Sequence, residues 1–114
     1  MNITIVELPE FIRKSEKLLS IDEHEMLLSF LAANPTAGIL LQGTGGVRKL
    51  RWVAGNKGKS GSARIIYFYH NPTMPLFLLT AFRKSEQENL TKADRNELAG
   101  LTKILIQNDK GKNG

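Results

Sequence analysis

Three segments decide the fold of this chain: VRKLRWV (residues 47–53), ARIIYFYH (63–70) and LFLLTAF (76–82). All three are rich in β-branched and aromatic residues, and glycine- or proline-containing stretches separate them, which predicts three successive β-strands. In the first strand, Leu50 and Trp52 alternate with Lys49 and Arg51, so one face can pack on helices while the other stays cationic. The third strand is apolar except for Thr80, which predicts a place inside the sheet.

The region from Val47 to Lys84 carries an unbalanced positive charge. It holds eight of the sixteen Lys and Arg residues and no acidic residue, and the gap without Asp or Glu extends from Glu25 to Glu86. The eight cations are Arg48, Lys49, Arg51, Lys57, Lys59, Arg64, Arg83 and Lys84. A single run of Lys and Arg is most often a solvated surface. Three strands share this bias, however, which favours a polyanionic partner such as nucleic acid.

Composition limits the kinds of site that the chain can hold. It has 114 residues, a net charge of +5, no cysteine and two histidines. Without thiols, neither disulfides nor a thiolate metal site is available, so we expect no metal and no cofactor, and a reducing cytoplasm suits the chain. We also expect no cleavable export signal and no membrane span, because no apolar stretch approaches the ~20 residues that a span needs.

The flanking segments predict helices. A short strand is expected over residues 2–6, followed by a helix from Pro9 to about Leu19, since proline suits a first helical turn. A second helix starts at a capping-box pattern, Ser20 with Glu23, and ends before Pro35. A third follows Thr91, with leucines at helical spacing. The order predicts an α+β domain over residues 1–107, with helices on one face of a mainly antiparallel sheet, and a disordered polar tail over 108–114.

Two sequence motifs have alternative interpretations. The Gly58-Lys59-Ser60 triplet suggests a phosphate-binding loop, but that motif requires glycine where this chain has Val53, and a helix where a strand follows. His70 shares the strand parity of Arg64, so it is a candidate proton carrier, although a histidine at a strand end is more often structural or exposed. Tyr67 and Tyr69 have the opposite parity and are expected in the core.

Four segments together resemble a known family: GVRKLRW (46–52), KGKSGSARIIYFYH (57–70), LLTAFRKSE (78–86) and ENLT (88–91). The lysine-bearing glycine loop ahead of Arg64 and its strand is the most specific of these. They are similar to the HigB branch of the RelE/ParE toxin superfamily. The resemblance implies a ribosome-dependent mRNA endoribonuclease that cuts mRNA in the ribosomal A site. It also implies a cognate antitoxin as partner, expected to be a helix-turn-helix DNA-binding protein.

The resemblance carries over to the cations position by position. It implies catalytic roles for Arg64 as phosphate clamp and for Lys84 and Arg51 as transition-state stabilisers. Strand parity, and not the resemblance, adds His70 as the candidate proton carrier. RNA or ribosome binding is expected from the remaining cations of the region: Lys49, Lys57, Lys59, Arg48 and Arg83. Several relatives place a tyrosine soon after the rim cation, whereas this chain has Leu90 near that place.

The residue chemistry agrees with such an activity. RNA can cleave itself when its 2′-OH attacks the adjacent phosphorus, so the protein must orient the bond and stabilise negative charge, which clustered cations can do without a metal. Two other functions remain open. One is a non-enzymatic DNA gyrase inhibitor resembling the ParE branch, and the other is an RNA-binding module without cleavage.

Overall fold

The computed structural model describes residues 3–53, 62–87 and 89–113. Its elements in chain order are β1 (Ile5–Glu7), α1 (Pro9–Leu18), α2 (Ile21–Ala33), β2 (Ile39–Leu40), β3 (Val47–Val53), β4 (Ser62–Phe68), β5 (Leu76–Arg83) and α3 (Lys92–Asn113). Within these ranges, none of the helices combines the length and apolar character required to cross a bilayer.

The five strands form one sheet in the order β1-β5-β4-β3-β2. β1 pairs parallel to β5, and the other neighbours pair antiparallel. A bulge interrupts the β4–β5 ladder, because Ile66 pairs with Thr80 while Tyr67 pairs with Leu78, which leaves Leu79 as an extra residue. The prediction of an α+β domain with a mainly antiparallel sheet is confirmed. β5 is an interior strand, as its apolar sequence predicts, and β4 lies at the centre.

Helices cover both faces of the sheet, not one face as predicted. Ile65 and Tyr67 belong to a core cluster that contains Phe11 of α1 and Leu27 and Leu31 of α2. Ile66 and Phe68 belong to a second cluster, against which leucines of α3 pack. Neighbouring residues of β4 point to opposite faces, so a strand that buries both sets needs a cover on each side. Trp52 lies on the α2 side, where its ring centroid is 5.5 Å from that of Phe30.

The helix boundaries follow local signals. Pro9 begins α1, and Ser20 forms a complete capping box with Glu23 at the start of α2. Thr91 and Asp94 cap α3 in the same reciprocal way, through the hydrogen bonds Thr91 N to Asp94 Oδ2 (2.9 Å) and Asp94 N to Thr91 Oγ1 (3.0 Å). These bonds hold the pKa of Asp94 below its ordinary value. α3 continues to Asn113, whereas the polar composition had predicted a disordered tail from residue 108.

The segment between α2 and β3 contains the short edge strand β2, which the sequence analysis missed. Only two residues pair there, Ile39 with Lys49 and Leu40 with Arg48. The Tyr67 hydroxyl, at the centre of the sheet, anchors the start of this segment. It accepts a hydrogen bond from Gly38 N (2.8 Å) and donates one to Pro35 O (2.9 Å). A Cβ at position 38 would lie only 2.8 Å from the Tyr67 ring, so glycine is required for this approach.

A second anchor joins the turn before β3 to the middle of α3. Thr102 Oγ1 donates to Thr44 O (2.9 Å), and both threonines are fully buried or nearly so. Gly45 follows in the left-handed region at φ 78°, and a Cβ there would lie 2.6 Å from Thr102 Oγ1. The turn and α3 are therefore fixed to each other, and α3 cannot shift along the sheet without breaking this bond.

We predict that Tyr67→Phe destabilises the fold while Tyr69→Phe does not. Loss of the buried Tyr67 hydroxyl leaves Gly38 N and Pro35 O without their partner, which costs about 1–3 kcal/mol in the free energy of unfolding. Tyr69 is half-buried, and the described residues give its hydroxyl no hydrogen bond, so it is a matched control. Urea denaturation measures both, and equal stability of the two variants would contradict the anchoring role.

Candidate functional site

Two arginines face each other at one end of the sheet. Arg51 on β3 pairs directly with Arg64 on β4, and Arg64 pairs on its other side with Phe82 of β5. Directly opposed residues of paired strands project from the same face, and Phe82 places this face on the α3 side. Arg51 is exposed and Arg64 is half-buried. The sequence-predicted pair therefore comes together in space, and it does so without an acidic neighbour on either strand.

One nitrogen of the Arg64 guanidinium, Nη1, is buried without an acceptor among the described residues. Leaving a buried donor unpaired is costly, so an approaching anion with oxygen acceptors would relieve that cost. A guanidinium presents its donors in a planar fork that suits two oxygens of one phosphate.

Lys84 joins this end of the sheet. The backbone N–H of Lys84 donates to the carbonyl of Ser62 (3.2 Å), which places it beside the first residue of β4 and close to Arg64 in the sheet. Arg83 is exposed at the end of β5, but it pairs with Ala63, so the alternation of strand residues directs it to the opposite face from Arg64. Arg83 therefore lies on a different face from Arg64, although it is next to Lys84 in the sequence.

Lys49 lies two residues before Arg51 on the same face, half-buried. Its ammonium donates to Asn89 Oδ1 at 3.3 Å, and Asn89 lies in the segment between β5 and α3. We call Lys49, Arg51, Arg64 and Lys84 the cationic end. Asn89 lies beside the cationic end, although no sequence pattern marks it as a site residue. The contact spans forty residues of chain, and neither periodicity nor composition reveals such a pairing.

Arg48 does not belong to the cationic end. It pairs with Tyr67, on the face of α1 and α2, and its Nη1 donates to Thr36 O (3.2 Å) and Gly38 O (2.9 Å). These bonds hold the segment before β2. The structure thus gives Arg48 a structural contact, and the expectation that it binds RNA does not fit this position.

His70 is also separated from the cationic end. It follows β4 at the far end from Arg64, and six residues of extended chain span up to about 20 Å. Its exposed ring stacks near Phe68, with centroids 6.0 Å apart. A single phosphate cannot touch both side chains, so this placement does not fit the proton-transfer role predicted from strand parity. Parity identifies the face but not the distance along it.

Three further expectations concern the lysines of the glycine loop, Leu90 and a metal site. Lys57 and Lys59 lie outside the described residues. Leu90, near the place where several relatives have a tyrosine, is half-buried and packs against the α3-side cluster. Among the described residues, no three histidines, aspartates or glutamates are grouped so as to hold a metal ion.

The arrangement favours one kind of chemistry. Three cations on one face of the sheet and Lys84 at its end, all in a stretch of sequence without carboxylates, create a positive potential at this end of the sheet. Fixed donors at such a place stabilise charge that develops on a bound anion, because the protein need not reorganise to meet it. The site can therefore bind a phosphodiester and stabilise added negative charge on it.

Comparison with known proteins supports this fold and identifies its family. A solved structure of E. coli toxin RelE, a double arginine-to-alanine mutant in the free state, is similar to this chain with a TM-score of 0.54 and 16% sequence identity; the match covers 77% of this chain and 90% of that one. The family model for the RelE toxin of the RelE/RelB toxin-antitoxin system matches residues 9–112, nearly the whole sequence. The chain therefore belongs to the RelE toxin family.

Proposed function

We propose that this protein is a toxin of the HigB type that cleaves mRNA on the ribosome without a protein-bound metal. The observation that carries the proposal is the direct pairing of Arg51 with Arg64 on two strands that carry no acidic residue, with Lys84 and Lys49 beside it. Family membership supports a toxin and an antitoxin partner. Because ribosomes are the target, the proposed site of action is the cytoplasm.

The proposed reaction is an internal transesterification. The 2′-oxygen of one nucleotide forms a bond to the adjacent phosphorus, and the bond from phosphorus to the 5′-oxygen breaks. The 2′-OH loses its proton and the departing 5′-oxygen gains one, which leaves a 2′,3′-cyclic phosphate and a 5′-hydroxyl. Negative charge accumulates on the phosphoryl oxygens in the transition state, and cationic donors fixed in advance stabilise that charge most.

Each member of the cationic end has a place in this scheme. Arg64 grips two phosphoryl oxygens with the planar fork of its guanidinium, projecting from a backbone that is paired on both sides. Arg51 and Lys84 stabilise the charge that develops during attack. Lys49 holds a neighbouring phosphate of the RNA backbone. Lys57 and Lys59 extend this binding, and Arg83 contributes from the rim, where it meets the ribosome rather than the scissile phosphate.

The first test is expression of the chain without its antitoxin. We expect translation to stop, and primer extension to show cuts within coding regions of translated transcripts but not in a matched transcript that lacks a ribosome-binding site. Equal cutting of both transcripts would contradict ribosome dependence. Intact mRNA together with trapped DNA breaks would instead favour a gyrase inhibitor.

The second prediction concerns the clamp. Arg64→Ala should lower the single-turnover cleavage rate at saturating ribosomes by on the order of a hundredfold, as expected for loss of one preorganised donor to an anionic transition state. Arg64→Lys should restore charge but little of the rate, because an ammonium cannot grip two oxygens in a fork. Arg13→Ala, at an exposed position on α1, is the control for loss of one positive charge. If Arg64→Ala cleaved mRNA at the wild-type rate, Arg64 would not be the phosphate clamp.

A third prediction follows from the repulsion between the paired arginines. Like charges directly opposite on paired strands destabilise a sheet, so Arg51→Met should raise the free energy of unfolding by about 0.2–1 kcal/mol at low salt while lowering cleavage. High salt should shrink the gain in stability, because exposed charges are screened. Urea denaturation at two ionic strengths measures this, with Arg13→Met as control. A loss of stability at low salt would show that Arg51 supports the fold.

A further inference from the structure

The segment between β5 and α3 is tied to the capping box of α3. Gln87 Nε2 donates to Asn89 O (3.1 Å) and lies 3.5 Å from Asp94 Oδ2, the same oxygen that accepts from Thr91 N. At its other end, Gln87 N donates to Arg83 O (3.1 Å). Gln87 is therefore bonded to the end of β5, and both Gln87 and Thr91 are bonded to Asp94 in the first turn of α3; Asn89 lies between these two residues in the chain.

Asn89 links this hydrogen-bonded segment to the cationic end. Its side-chain oxygen accepts from the Lys49 ammonium, across the gap between the segment and β3. An ammonium has three donors, so a single bond to Asn89 leaves two for phosphate oxygens. An amide oxygen carries no charge, so it fixes the lysine without cancelling its field, unlike the carboxylate that usually holds a lysine.

We propose that Asn89 is a positioning residue that fixes the Lys49 ammonium for RNA phosphate, and that Gln87 holds Asn89 in place by linking it to the Asp94 cap. This inference rests on the proposed function, since it deepens the role of Lys49 as a backbone-binding cation. A free lysine side chain has many rotamers, and restricting them before binding lowers the entropic cost of binding. Asn89 thus raises affinity without touching the RNA.

Two variants distinguish the position of the Lys49 ammonium from its charge. Asn89→Ala keeps every cation, so ribosome affinity should fall about two- to fivefold, the range expected for one exposed polar contact, while the salt dependence of binding stays unchanged. Lys49→Met removes the charge itself, so both the affinity and the salt slope should fall. The cleavage rate at saturation should change little in Asn89→Ala, because the scissile phosphate lies at Arg64.

A double-mutant cycle on ribosomes programmed with mRNA tests this dependence. In the wild-type background, Asn89→Ala and Gln87→Ala should each weaken binding; in the Lys49→Met background, each should change affinity by less than about 1.5-fold. Asn96→Ala is the matched control, since this exposed asparagine on α3 has no hydrogen bond to the cationic end in the part of the chain that the structure describes, and it should have no effect in either background. Equal losses with and without Lys49 would overturn the proposal.

The contact is also tested in the free protein. The side-chain amide proton resonances of Asn89 should shift in Lys49→Met, while those of Asn96 should not. Resonances of Asn89 that stay in place would overturn the proposal.

The binding and cleavage outcomes for the wild-type protein separate this inference from the proposed function. Wild-type protein that binds ribosomes without cutting mRNA refutes the nuclease assignment, and the affinity cycle still decides on Asn89. Wild-type protein that does not bind ribosomes refutes both.

Discussion

The structure depends on the burial of β4 from both sides. Ile65 and Tyr67 on one face, and Ile66 and Phe68 on the other, are all fully buried, and burying each such side chain contributes about 1.5–3 kcal/mol. α1 and α2 cover one face and α3 covers the other. On the α3 face, Phe68 is fully buried, whereas Arg51 at the other end is exposed and Arg64 beside it is half-buried. The core thus determines where a charged ligand can approach.

Local signals made much of this fold predictable. The alternation in residues 47–53, Pro9 and the Ser20 capping box each act within a few residues, and the structure places strands and helices where they indicate. The two-residue strand β2 lacks such a signal, because only its pairing with β3 defines it. The position of α3 was misjudged for a related reason: an apolar strand shows that both faces are buried but not which helix covers each.

The site was also predictable only in part, because strand parity gives the face of a residue but not its neighbours in space. Strand parity correctly placed Lys49 and Arg51 on one face of β3, and only the register of the sheet joined Arg64 to Arg51 as a neighbour. Parity cannot measure distance along a strand, so it also grouped His70 with Arg64. Composition counted Arg48 among the binding cations, although its hydrogen bonds to Thr36 and Gly38 serve the fold. Asn89 carries no charge and escaped a search based on charge, and its relevance depends on a contact between distant segments.

The parallel pairing of β1 with β5 has a consequence for how the chain matures during its own synthesis. Ile5 pairs with Leu76, so the first strand emerges from the ribosome long before its partner exists. At bacterial elongation rates of about 5–20 residues per second, that wait lasts roughly 4–14 s. α1 and α2 can form meanwhile, but contacts of such large sequence separation form late. Lys84 follows β5 directly, so a nascent chain completes its sheet and its cationic end almost together.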